Sequence, residues 1–70
     1  MMSTAVGVAL HTLRTGGGMT LDEVATSAGV SVSYLSRVER GLAMPSPGWV
    51  RVVTATIGQH IISTSRAVSG

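Results

Sequence analysis

The fold class predicted for this 70-residue chain is all-α, a compact bundle of four to five helices. Three observations predict it. Apolar residues recur at spacings of three and four through most of the chain, which is the period of a helix face. Ser or Thr stands just before the apolar runs at Thr20, Ser31 and Ser46, where a hydroxyl can cap a helix start. Glycine stands at their far ends, at Gly16 to Gly18, Gly29 and Gly41, where a left-handed residue closes a helix without steric cost.

Size and composition bound the rest. A chain this short forms one small domain that buries only about 60% of its unfolded surface. Its stability margin is therefore thin, and dimerisation would add to it. With 44% hydrophobic residues it is not a polar, disordered chain. No apolar run approaches the roughly 18 residues needed to cross a membrane. The opening stretch MMSTAVGVAL lacks the basic region of a signal peptide. Without cysteine there is neither a disulfide framework nor a Cys-based zinc site. A cytoplasmic protein is the expectation.

Taken in order, Met1 to Thr4 reads as a short arm, and either Met can be the true start. Ser3 or Thr4 caps a first helix running to about Arg14, with Val6, Leu10 and Leu13 inward. Gly7 weakens that helix by about 0.5–1 kcal/mol relative to Ala. Gly16, Gly17 and Gly18 end it. They do not read as a phosphate-cradling loop, because no strand precedes them and no Gly-Lys-Ser/Thr follows.

Thr20 and Glu23 form a capping box for the second helix, with Met19 and Val24 as its hydrophobic staple. Leu21, Val24, Ala25 and Ala28 share one face, and Gly29 closes the helix. Ser31 caps a third helix, Val30 and Leu35 give a second staple, and Leu35 and Val38 point inward before Gly41. After a loop from Leu42 to Ser46, Ser46 as cap and Pro47 at the first helical position start a fourth helix. Val50, Val53 and Ile57 form its inward face. Trp49 either packs at the core edge or is open to a partner subunit.

Two short helices joined by a tight turn make a helix-turn-helix, whose second helix enters the DNA major groove. AGVSVSYLSRVERG, followed by Pro45-Ser46 and a further helix ending in Ile57-Gly58, resembles the phage repressor and Cro type of this motif (XRE-like, lambda repressor-like). The likeness spans roughly Val6 to Gly58. It is carried by Leu10, Leu13 and Arg14, by Thr20, Glu23 and Ala25, by Gly29, Val30 and Ser31, by Tyr34 to Gly41, and by Pro45 and Ser46. It implies a helix-turn-helix DNA-binding domain over residues 1–58, and residues 59–70 are left as a C-terminal tail, a candidate dimerisation segment.

Two departures stand out. The family often carries a basic residue at position 17, so Gly17 removes a phosphate contact. Many relatives also continue into a fifth helix after position 58, whereas GQHIISTSRAVSG is short and rich in β-branched residues. Ile61 and Ile62 either fold back on the domain, or lie in a strand from His60 to Ser65 that pairs with its mate in a dimer, or belong to a frayed tail.

The third helix, from about Val32 to Arg40, holds the candidate site. With Leu35 and Val38 inward, its outward face carries Val32, Ser33, Ser36, Arg37 and Arg40. Base contacts come from the first residues of such a helix and from one residue a turn further on. That selects Val32, Ser33 and Arg37, with Ser36 secondary. Arg37 has the donor fork for guanine O6 and N7, and Val32 suits a thymine methyl. Backbone contacts fall to Thr20, Ser31, Tyr34, Arg40 and Arg14. Thr20 and Ser31 are first of all caps, at helix starts that attract anions. Tyr34 is either half-buried packing or a phosphate ligand, and Arg40 either completes the helix end or contacts the backbone. Arg51 is a solvated charge or a rim residue. The resemblance further implies an ion pair between Arg14 and Glu39.

Net charge is +2 and all five basic residues are Arg, which suits bidentate contacts to phosphate or guanine. Genomic base composition gives the same usage. The partners expected are double-stranded DNA and a second copy of the chain, with Trp49, Ile61 and Ile62 as dimer contacts. No cofactor or metal is expected, since His11 and His60 lack a third ligand nearby. No paired carboxylates or nucleophile–base arrangement points to an enzyme. The leading expectation is a small phage- or prophage-type repressor acting as a homodimer on a palindromic operator. The alternatives are an antitoxin, a recombination-control protein, or a protein-interaction module on the same fold that has lost DNA binding.

Overall fold

The computed structural model describes residues 5–69, with side chains to residue 65. The expected arm and the caps at Ser3 or Thr4 lie outside these residues. Four helices follow in order: α1 Ala5–Gly16, α2 Leu21–Ala28, α3 Val32–Glu39 and α4 Pro47–Ser69. α2 packs on α3 and on α4, and α1 packs on both α3 and α4. Leu10, Met19, Val24, Ala25, Leu35, Val38, Val53 and Ile57 form the buried core they enclose.

Local chemistry accounts for the boundaries. The Thr20 hydroxyl accepts the Glu23 N–H at 3.0 Å, and the Glu23 carboxylate accepts the Thr20 N–H at 2.8 Å, which completes the capping box. Glu23 is held below the usual carboxylate range by those bonds to the Thr20 backbone and side chain. α1, α2 and α3 end alike, each on a left-handed glycine: Gly18 (φ 75°), Gly29 (φ 70°) and Gly41 (φ 77°). In each case the next N–H reaches back five residues: Met19 to the Arg14 carbonyl at 3.1 Å, Val30 to Ala25 at 3.0 Å, and Leu42 to Arg37 at 2.8 Å. These bonds satisfy carbonyls that the helix end leaves open and reverse the chain sharply.

Two expectations are corrected. Leu13, placed inward from its spacing, is 36% exposed, and the inward face of α1 is completed by Gly7 and Arg14. Gly7 is there because α1 crosses the end of α3 closely. A Cβ at that position would overlap the Val38 carbonyl oxygen and lie 3.0 Å from that of Glu39.

The tail is neither strand nor frayed chain. α4 runs through Gly58 and continues to Ser69 as one helix. The β-branched residues that suggested a strand cost only tenths of a kcal/mol each in a helix, and the helix absorbs several of them. Thr54, Thr56 and Thr64 each donate a hydroxyl to the carbonyl four residues earlier, at 2.8, 2.9 and 2.9 Å. Ile61 is partly buried against the core and lies over Gly17, with its side chain 3.1 Å from where a Cβ of that glycine would stand. Ile62, one residue on, is 52% exposed.

Candidate nucleic-acid interface

α3 is held from three directions. Its buried side inserts Leu35 and Val38, both fully enclosed. Its start is capped by Ser31, whose hydroxyl accepts the Tyr34 N–H at 3.2 Å. Its end is tied to α1 by ion pairing. Arg14 donates from Nε to Glu39 Oε2 at 2.7 Å and from Nη2 to Oε1 at 2.9 Å, a two-pronged contact. Nη1 of Arg14 donates to the Met19 carbonyl at 2.9 Å, which also fixes the turn after α1. His11, one turn before Arg14, places Nδ1 2.9 Å from Glu39 Oε1.

The electrostatics follow from burial and pairing together. Burial opposes ionisation of the Glu39 carboxyl, but the hydrogen bonds and charges of Arg14 and His11 outweigh it and hold the group below the usual carboxylate range. The same bond to Glu39 raises Arg14 further, against the cost of its own burial. No described buried side-chain nitrogen or oxygen lacks a partner. α3 is therefore capped at its start and ion-paired to α1 at its end.

Its outward face carries Val32 at 40% exposure with Ser33, Arg37 and Arg40 exposed and Ser36 half-buried. Ser33 shares a 3.0 Å hydrogen bond with the Ser31 hydroxyl. The Arg40 Nε donates to the Ser36 carbonyl at 3.4 Å, a helix-closing contact that leaves most of its guanidinium in solvent. Arg37 lies with its guanidinium carbon 5.9 Å from the centre of the Tyr34 ring. Tyr34 packs perpendicular to Trp49, with centroids 5.2 Å apart and planes at 84°. Its hydroxyl makes a long, 3.4 Å bond to the Met44 carbonyl.

The structure thus brings Ser31, Val32, Ser33, Ser36, Arg37 and Arg40 together on one helix. Arg14 lies apart from them, on α1. It is 8% exposed, and its donors go to Glu39 and Met19, so its part is to hold α3 in place. Thr20 uses its hydroxyl on the capping box. Trp49 lies against Tyr34 and Ile61 against the core, while Ile62 alone of the three candidate dimer residues is largely in solvent.

Sequence reasoning missed His11, whose position three residues before Arg14 on the same face of α1 was the available signal. Among the described residues, no group of three His, Cys, Asp or Glu can hold a metal ion. No described helix is long and apolar enough to cross a membrane.

A capped helix, a sharp left-handed glycine turn and a second helix showing a polar, cationic face define a helix-turn-helix protein. The family model of a helix-turn-helix domain matches residues 5–59, so the chain belongs to that family. DNA is the partner that membership points to. No curated protein and no solved structure matches the chain.

Proposed function

We propose that this protein is a sequence-specific regulator of transcription that binds double-stranded DNA as a homodimer on a palindromic operator. It is a small repressor in the manner of phage or prophage repressors. The carrying observation is the outward face of α3: among the described residues Arg37 and Arg40 have no acidic partner, and they stand beside exposed Val32 and Ser33 on a helix tied down by Arg14 and Glu39. Such a face suits direct readout in the major groove. Arg37 takes a guanine edge, Val32 a thymine methyl, and Ser33 and Ser36 adaptable base edges. Arg40 and the helix starts at Ser31 and Thr20 face phosphate. Tyr34 stands beside them with its hydroxyl at the surface.

A homodimer follows from area. Specific interfaces with DNA bury about 1,000–2,500 Å² of protein, whereas one small module covers less. Two copies on an inverted repeat supply the difference. Repression follows by occlusion, with α3 in the groove and RNA polymerase excluded. The test is selection of the protein against a random duplex pool at about 100–150 mM salt, where nonspecific phosphate binding is suppressed. The expected result is an inverted repeat with half-sites about 10 base pairs apart. A single short motif contradicts the dimer, and no enrichment contradicts autonomous DNA binding.

A further inference from the structure

We infer that Tyr34 is a positioning residue for base readout: its ring is the platform that holds the Arg37 guanidinium in the orientation that reads a base edge. The inference rests on the proposed role of Arg37.

An exposed arginine is a flexible reader. Its side chain carries about 2 kcal/mol of rotamer entropy, which a bidentate contact must overcome. An arginine already lying over an aromatic face has surrendered part of that freedom before DNA arrives. Arg37 meets this condition. It sits three residues after Tyr34 on α3, with its guanidinium carbon 5.9 Å from the ring centre. The other exposed cation of that face, Arg40, is engaged instead with the Ser36 carbonyl of its own helix.

A platform works only if it is itself fixed, and Tyr34 is. The Trp49 ring packs against it at 5.2 Å with planes at 84°. Its backbone N–H is bonded to the Ser31 cap, and its hydroxyl reaches the Met44 carbonyl. Tyr34 therefore links the start of α4 and the preceding loop to the reading side chain. The ring, rather than the hydroxyl, carries the function. This separates the inference from a phosphate contact by the same residue, which would act through the hydroxyl and would not favour one base over another.

The experiment compares the full-length protein with Tyr34→Phe, Tyr34→Leu and Arg37→Ala on a duplex series varied at each operator position, together with the salt dependence of binding. Arg37→Ala first identifies the base pair it reads. If no position loses preference in that variant, the role of Arg37 fails and the platform with it. If one does, the platform predicts that Tyr34→Phe keeps the preference there. Tyr34→Leu should lower it about two- to fivefold, the size of a surface cation–π contact, with an unchanged salt slope. Full preference in a folded Tyr34→Leu overturns the inference. So does a Tyr34→Phe variant that loses the preference as fully as Tyr34→Leu, since that assigns the effect to the hydroxyl and not to the ring.

Should Tyr34→Leu not fold, the wild-type protein decides by NMR. The side-chain protons of Arg37 should be shifted upfield by the ring relative to those of Arg51. Equal shifts for the two arginines overturn the inference.

Discussion

At the scale of single residues, the contact between Glu39 and Arg14 ties the end of α3 to α1. Both side chains are nearly out of solvent, at 5% and 10% exposure. A pair in such a setting contributes little net stability, but removing one partner strands the other and costs about 3–5 kcal/mol. Against a total margin of about 4–10 kcal/mol for a chain this size, that loss is close to unfolding. Glu39→Gln is expected near the lower end, about 3 kcal/mol, because an acceptor oxygen remains for Arg14.

The sign of the pH effect follows from the lowered pKa of Glu39. A group whose pKa is depressed by folding stabilises the native state above its unfolded pKa, and that contribution is lost as pH falls through the folded value. Wild-type Tm should therefore drop below the usual carboxylate range, and Glu39→Gln should start lower and flatten that acid limb. Thermal melts from pH 7 to pH 2 measure both. An equally steep acid limb in the variant would assign the acid sensitivity elsewhere, with the capping-box carboxylate of Glu23 the next candidate.

At the scale of helices, ends and starts were legible in the sequence, because caps act over three to five residues. Thr20 with Glu23, Ser31, Gly29 and Gly41 all stand where local chemistry demands them. Gly7 was not legible in the same way. Read locally it only weakens a helix; its necessity appears when α1 is laid across the end of α3. The two effects can be weighed. Gly7→Ala gains about 0.5–1 kcal/mol of helix propensity but forces overlap with backbone carbonyls that have no room to move, a cost of about 1–3 kcal/mol or more. Net destabilisation is expected, measured by denaturant midpoint. Gly17→Ala should be milder, since the nearest atom, at 3.1 Å, belongs to the movable side chain of Ile61 and the nearest backbone atom, the Leu13 carbonyl oxygen, stands off at 3.3 Å.

The course of α4 beyond Gly58 escaped the sequence for a related reason. β-branched residues are ambiguous between helix and strand, and the contact of Ile61 with α1 is tertiary. Of the candidate site, the outward face of α3 was readable from its period. The involvement of His11 with Glu39 joins residues 28 apart in the chain, and only its place one turn before Arg14 hinted at it.

At the scale of the whole molecule, the shape bears on assembly. The extents are 43 × 22 × 19 Å, drawn out along one axis. A helix of 23 residues spans about 34 Å, and the buried core on α4 ends with Ile57 and the partly buried Ile61. Ile62 begins a stretch, through residue 65, whose side chains are all exposed. The proposed homodimer uses this end of α4. Ile62→Glu should leave the helical fold of the single chain intact, since Ile62 is already 52% exposed in it. It should also shift the protein toward monomer in sedimentation, with loss of about 10²-fold or more in operator affinity as bivalent binding disappears. An unchanged sedimentation coefficient would move the dimer contact away from Ile62.

If α3 reads DNA through its outward face, repeating the random-duplex selection with Arg37→Ala will show it. Arg37 is exposed and outside the core, so the variant should fold like the wild type. The expected result is the same inverted repeat, with preference relaxed at one base pair in each half-site and a loss of about 1–3 kcal/mol in discrimination there. A folded variant that selects an unchanged consensus would contradict it.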